Sequence, residues 1–274
     1  MLKKTTRGMT AAMTRRGVGF AVAGGGAGYD TDAQAYITLV EAADSQSLET
    51  GVKDAINAFV VGCKSDGIWD AIKAACIMAG ARTLTGALVP LVGTAPTNNN
   101  FVSGDYNRET GLVGNGSTKY LDSNRAEDDD PQNDHHFSMY VTSVSSTNRI
   151  YMGTLDGVTQ ATQRYWSADQ MLYRLNGTTV YSIAGENPIG FAGASRSSSA
   201  NFQVRQASTD YTATVASVTS NTTNFGVFCR ISGTTPNLLC DARLSFYSIG
   251  ESLDLALLDS RVSTLMTAIG AAIP

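Results

Sequence analysis

Charge is scarce in this sequence. Asp, Glu, Lys and Arg make up 16% of 274 residues, against about 25% in ordinary soluble domains. A coiled coil and a charge-rich disordered chain are excluded, because both need many more charges. No run of about 18 apolar residues occurs, so neither a transmembrane helix nor membrane insertion is expected. Histidine is limited to the adjacent pair His135 and His136, which leaves few bases for nucleophilic catalysis. The four cysteines, Cys63, Cys76, Cys229 and Cys240, form no C-x-x-C pair. A zinc knuckle and a thioredoxin-type motif are therefore absent. Cys229 and Cys240 flank the Gly233–Pro236 turn of an expected hairpin, and alternation turns both toward the core. They read as buried thiols, with a cross-strand disulfide as the alternative.

What fills the gap is Ser and Thr, about a fifth of the chain, together with 27 Gly. With 43% hydrophobic residues there is material for a substantial core. A Ser/Thr/Gly-rich, charge-poor chain fits short strands and many turns, so composition points to a mostly β protein that binds something. The few charges are unevenly placed. Residues 1–29 hold Lys3, Lys4, Arg7, Arg15 and Arg16 and no acid, so this arm carries +5 and the rest of the chain −9. Such asymmetry marks an interaction tail, and these five cations are the expected docking residues. A plain flexible tail and a twin-arginine-type targeting signal before Gly17-Val18-Gly19-Phe20 are the alternatives. Nucleic acid is not an expected partner, since the arm lacks interleaved aromatics and the body is acidic.

Residues 30–80 read as helices. Tyr36, Ile37 and Val40 share one face of a first, and Leu48, Val52, Ile56, Phe59, Val60 and Cys63 one face of a second, capped by Ser47. A third is expected after Asp66, presenting Trp69, Ile72, Cys76 and Ala79. From residue 101 to 248 the pattern changes to short alternating runs. Eleven strands are expected, at 119–122, 136–143, 149–153, 161–166, 170–175, 178–183, 189–194, 199–206, 211–216, 224–231 and 238–247. Asn176-Gly177 is read as a type I′ hairpin turn. A closing helix carries Leu258, Val262, Leu265 and Ile269 as one stripe after a capping box, Ser248 to Glu251. The fold class is α+β: an N-terminal helical segment, an antiparallel β-sandwich of jelly-roll type and a C-terminal helix. The expected division is a basic arm (1–29), a helical segment and linker (30–98), the sandwich (99–250) and the helix (251–274).

Catalytic templates fail one after another. No G-x-S-x-G elbow is present. Gly111 to Lys119 has the composition of a phosphate-binding loop, but Ser117-Thr118 separate the last Gly from Lys119. No catalytic residue is assigned, no enzymatic activity is expected and no cofactor is required. Two weaker candidates remain. The acidic run Glu127, Asp128, Asp129 and Asp130 is rich enough in oxygen to suggest Ca²⁺, with Glu127, Asp128 and Asp130 as candidate ligands, but lacks the order of a preformed calcium loop. Tyr165, Trp166, Tyr173 and Arg174 surround the expected hairpin and suit contacts with a glycan or a protein partner.

Several stretches are distinctive: Phe59-Val-Val-Gly-Cys-Lys, Asp66-Gly-Ile-Trp-Asp-Ala-Ile-Lys, Phe101-Val-Ser-Gly-Asp-Tyr-Asn-Arg, Thr110-Gly-Leu-Val-Gly-Asn-Gly-Ser-Thr-Lys-Tyr-Leu-Asp and Ala242-Arg-Leu-Ser-Phe-Tyr-Ser-Ile-Gly-Glu-Ser-Leu-Asp. With Gly193-Ala-Ser-Arg-Ser-Ser-Ser, they give residues 30–274 a sequence that resembles bacteriophage virion proteins with a laminin-G-like, concanavalin-A-like jelly roll. The arm before Asp30 lies outside the resemblance. The resemblance implies a non-enzymatic structural protein on the particle surface, of head-decoration or fibre type. Its partners would be other virion proteins of capsid or tail, it would form a homo-oligomer, with a trimer expected, and its location would be the virion. The alternative is a tail-associated adhesin that recognises host-surface glycans; a glycan-cleaving enzyme stands behind both.

Overall fold

The computed structural model describes residues 28–146, 148–156, 159–166, 170–185 and 189–274; for 156 and 159–166 it describes the backbone only. Two helices open the described chain, α1 (Thr31–Asp44) and α2 (Thr50–Ser65). A short helix, α3 (Leu84–Ala87), lies between the early strands, and α4 (Leu255–Ala272) closes it. The strands in chain order are β1 (Ile72–Ile77), β2 (Pro90–Val92), β3 (Thr97–Asn99), β4 (Tyr106–Asn107), β5 (Gly111–Val113) and β6 (Tyr120–Ala126). Next come β7 (His135–Ser143), β8 (Arg149–Asp156), β9 (Thr159–Trp166), β10 (Gln170–Gly177), β11 (Tyr181–Ala184) and β12 (Gly190–Arg196). The last six are β13 (Phe202–Gln206), β14 (Thr209–Ala213), β15 (Asn224–Val227), β16 (Arg230–Ser232), β17 (Thr235–Asn237) and β18 (Arg243–Gly250).

These strands form two sheets. Sheet A runs β14-β13-β12-β7-β18-β1-β2, with β5 and β4 attached to β18. Sheet B runs β11-β10-β9-β8-β15-β6-β3, with the β16–β17 hairpin attached to β8. The ladders are antiparallel except where β16 meets β8. Between the sheets lies one apolar core, to which β7 gives Phe137, Met139 and Val141, β10 gives Met171, Tyr173 and Leu175, and β15 gives Phe225 and Val227. A second core lies on the far side of sheet A, where Ile72, Ile77, Phe191 and Phe246 meet helical Val52, Ile56, Phe59, Leu258, Val262 and Ile269. The result is three layers: helices, sheet A, sheet B. The α+β sandwich expected from the sequence is present, with its helices at both ends of the chain.

The third expected helix is instead β1. Its residues are buried on both sides, Ala74 and Cys76 toward the inter-sheet core and Ile72, Ala75 and Ile77 toward the helices. A strand covered on both faces is a continuous apolar run, and such a run has no period that separates it from a helix. The helical segment and linker of the sequence reading thus supply β1, β2 and β3 to the sheets. The capping box at Ser248 also gives way. Ser248 sits within β18, and a Cβ at Gly250 would lie 2.1 Å from the Ala71 carbonyl oxygen, which keeps the chain extended beside β1. The helix starts later, where the Asp254 carboxylate accepts from the amides of Ala256 (2.8 Å) and Leu257 (3.2 Å). Likewise α2 begins after Glu49, not Ser47.

Asn176-Gly177 is not the hairpin turn. Asn176 takes the positive φ that a type I′ turn requires, 44°, but Gly177 still pairs with Gln160 of β9 and the β10–β11 ladder has already ended at Tyr173 and Tyr181. The Asn176 amide donates to the Gln132 carbonyl (2.9 Å) and Ser220 Oγ (3.0 Å), so tertiary partners hold the residue in a bulge. The β16–β17 hairpin does form, and all four cysteines are buried and free. The α4 stripe Leu258, Val262, Leu265 and Ile269 is buried against the N-terminal helices and sheet A, each side chain contributing about 1.5–3 kcal/mol. The stripe is therefore covered within the chain. That helix is also long and apolar enough to span a membrane by length and composition, contrary to the sequence expectation; here its stripe packs inside the protein.

Candidate ligand-binding groove

Of the aromatic patch read from the sequence, the described pair, Tyr173 and Arg174, does not come together. Tyr173 is 0% exposed and faces the inter-sheet core, where its hydroxyl donates to the Gln206 side-chain carbonyl. Met171, Tyr173 and Leu175 alternate inward along β10, so Arg174 belongs to the opposite face and is half-buried. Strand alternation thus separates the two residues that chain proximity had joined. Tyr165 and Trp166 stand on β9 opposite Met171 and Gln170, and their side chains lie outside the described residues. Lys3, Lys4, Arg7, Arg15 and Arg16 also lie outside them.

The acidic run is directed at protein partners. Glu127 is 0% exposed, and one carboxyl oxygen accepts from both the backbone amide (3.0 Å) and the side-chain amide of Asn221. Its other oxygen has no partner, and burial pushes its pKa up to about 7. Asp129 accepts from the Ala126 amide, and Asp130 is bound by Arg125 at 3.0 and 2.5 Å. Asp128 alone is exposed without such a bond. No three carboxylate, histidine or thiol groups converge on a metal position among the described residues. The Ca²⁺ expectation for Glu127, Asp128 and Asp130 therefore finds no geometry here.

The two histidines serve the fold. His136 is bonded to the Glu251 carbonyl through Nδ1 (2.6 Å) and to Ser248 Oγ through Nε2 (2.9 Å), and Ser248 Oγ also meets Ser138 Oγ at 2.7 Å. A carbonyl can only accept, so Nδ1 carries the proton and Nε2 accepts from Ser248. Ser138 then donates to Ser248, and the chain of bonds is fully assigned. His135 Nε2 meets Ser220 Oγ at 3.2 Å. Burial depresses both pKa values to about 4. Both imidazoles are buried and neutral near pH 7.

A concave site of about 260 Å³ lies on sheet B where the β16–β17 hairpin meets β6 and β15. It is lined by Tyr120 and Asp122 of β6, Thr222, Thr223 and Asn224, and Ile231, Gly233, Thr234 and Pro236 of the hairpin. Alternation along β6 places Leu121 and Ser123 inward and leaves Tyr120, Asp122 and Asn124 on the other face. One Asp122 oxygen accepts from the Asn124 amide (2.8 Å) and from the Asn224 side-chain amide (2.9 Å). That second bond crosses from β6 to β15 and orients both groups in the groove. Gly233, at φ 59°, lets the hairpin turn in two residues beside them. The groove therefore offers an oriented carboxylate and amide, exposed threonine hydroxyls and a partly buried tyrosine ring, a polar arrangement suited to a hydroxyl-bearing ligand. The sequence reading assigns none of these residues to a site; Tyr120 and Asp122 enter it only within a distinctive stretch, and Gly233 and Pro236 only as a turn. The signal available was the alternating Tyr120-x-Asp122-x-Asn124, polar on a single face.

No protein-family description matches the sequence, and no curated protein matches it. Solved structures similar to this chain include a mutant of the NanB sialidase from Streptococcus pneumoniae, at TM-score 0.43 and 11% identity over 57% of this chain and 27% of that one. The IT-sialidase CBM40 of Ruminococcus gnavus is similar at TM-score 0.37 and 9% identity, over 47% of this chain and 82% of that one. The Botulinum neurotoxin serotype D binding domain is similar at TM-score 0.46 and 6% identity, over 74% of this chain and 52% of that one. The chain thus spans 27% of the length of the sialidase it matches. The class of protein defined by the coordinates is a jelly-roll-like β-sandwich with a helical layer on one sheet and a polar groove on the other.

Proposed function

We propose that this chain is a non-enzymatic surface protein of a bacteriophage particle, docked through its basic arm and helical side and displaying sheet B outward. The observation that carries the reading is the inequality of the two outer faces: helices cover the central strands of sheet A, whereas sheet B holds the groove. The sequence resemblance to virion proteins supports the phage assignment, and the burial of both histidines supports a role without catalysis. A test is deletion of residues 1–27, which spares the Tyr29–Asp54 hydrogen bond and the Asp30 cap of α1. Particle occupancy should be lost in the truncated protein and should weaken with rising salt in the intact one, since exposed charges are screened over about 8–10 Å. Undiminished occupancy after the deletion overturns the docking role.

The groove favours a second reading, the recognition of host-surface glycans. Its side chains are the types that hold sugars: a ring for an apolar sugar face, and oriented oxygen and amide groups for hydroxyls. An array of bacterial surface polysaccharides probed with the full chain tests it, and an array with no bound glycan counts against it.

A further inference from the structure

The groove has a sign. Among the described residues that line it, Asp122 is the only charged side chain, and no Lys, Arg or His is among them. The cations nearest in sequence are held elsewhere. Lys119 Nζ bonds Asp105 at 2.5 Å, Arg125 bonds Asp130, and Arg230 Nε bonds the Asn237 side-chain oxygen at 2.9 Å. Asp122 is itself only half-committed. One oxygen accepts two hydrogen bonds, while the other is left to a ligand or to water, as is the side-chain oxygen of Asn224, whose amide nitrogen makes the second of those bonds. Two acceptors joined by the Asp122–Asn224 bond match two hydroxyl donors on neighbouring carbons.

We infer that the groove binds an uncharged sugar ring through two adjacent hydroxyls, against Asp122 and Asn224, and rejects sugars that bear a carboxylate. This rests on the glycan reading above and specifies its ligand class. A sugar carboxylate placed here would face a fixed carboxylate with no cation among the described lining residues to offset it, and like charges at contact distance repel strongly in a partly dry site. The volume of about 260 Å³ suits one ring, so the contact reads a single residue of a longer glycan. Thr222 and Thr234 stand exposed at the rim, where a third hydroxyl can be met.

The test uses the full chain against neutral hexose oligosaccharides and against matched sialylated and uronate oligosaccharides. Neutral rings should bind, with acidic ones weaker by roughly tenfold or more. Asp122→Asn should narrow that gap by removing the repelling charge. Thr234→Trp should fill the groove and abolish binding; because Thr234 is exposed, its thermal unfolding should match the parent and separate blockage from misfolding. Acidic oligosaccharides binding as well as neutral ones overturn the inference. Neutral binding that survives both variants places recognition elsewhere on the chain and overturns the groove assignment alone. An array with no bound glycan overturns the glycan reading itself.

Discussion

Sheet A and sheet B share the inter-sheet core and differ in what lies beyond it. On sheet A, β1 and β18 are buried along almost their whole length, because α1, α2 and α4 close the outer face. On sheet B, β6 alternates between buried and accessible residues, and the accessible set includes groove residues. The helical layer is held by ion pairs as well as by apolar contact: Arg108 grips Glu49 at 3.0 and 2.6 Å, and Arg261 grips Asp66 at 2.7 and 2.8 Å. The contrast teaches where selection for function has freedom. Side chains committed to a core, as on β1 and β18, cannot present a ligand contact, whereas an open face can change its polar groups at small cost to folding.

The most severe way to break the comparison is to charge the covered side. Val262→Asp places a carboxylate among buried apolar side chains of α2, α4 and sheet A. We expect a loss above about 4 kcal/mol, read as collapse of the denaturant midpoint. Next in size is the polar anchor between the sheets. Arg196 is 0% exposed and donates to the carbonyls of Leu175 (3.1 and 2.7 Å), Ser198 (2.9 Å), Asn201 (3.1 Å) and Val215 (3.1 Å). Arg196→Met keeps apolar volume and strands those carbonyls, so we expect about 2–4 kcal/mol of destabilisation in the same measurement.

The same contrast explains what the sequence disclosed. The sandwich, the stripe on α4 and the β16–β17 hairpin follow from period, spacing and turn residues, all of which are local. β1 was hidden because burial on two faces erases the period that identifies a strand. Asn176-Gly177 reads as a turn because a positive φ is a local property, whereas what holds Asn176 there, two bonds to residues 132 and 220, is not. The groove joins β6 to residues about a hundred positions later, through a hydrogen bond between Asp122 and Asn224. Its members are ordinary polar residues until folding sets them side by side.

Glu127 sharpens the comparison through pH. Its folded pKa, about 7, lies above its ordinary value of 4.5, so the buried neutral acid is fully favourable below 4.5 and its contribution is lost as pH rises through 7. His135 and His136 act in the opposite sense. Their folded values of about 4 lie below the usual 6.5, so their contribution is complete above 6.5 and is lost as pH falls through 4. Glu127→Gln mimics the neutral acid at all pH values. Relative to the parent it should gain on the order of 2–3 kcal/mol at pH 8 and almost nothing near pH 4.5, read from paired thermal melts.

The smallest effect falls on the open sheet and decides whether the contrast is real. Thr222 is exposed at the groove rim, and Thr222→Ala removes a hydroxyl without opening a cavity or stranding a buried partner. Stability should stay within about 0.5 kcal/mol of the parent. If the groove is a ligand surface, the same change should weaken glycan binding by a few fold while the melt is unmoved. If Thr222 instead braces the hairpin against β15, stability and binding will fall together. Only the first outcome preserves the division between a sheet committed to folding and a sheet free to recognise, because it separates the two properties at one residue.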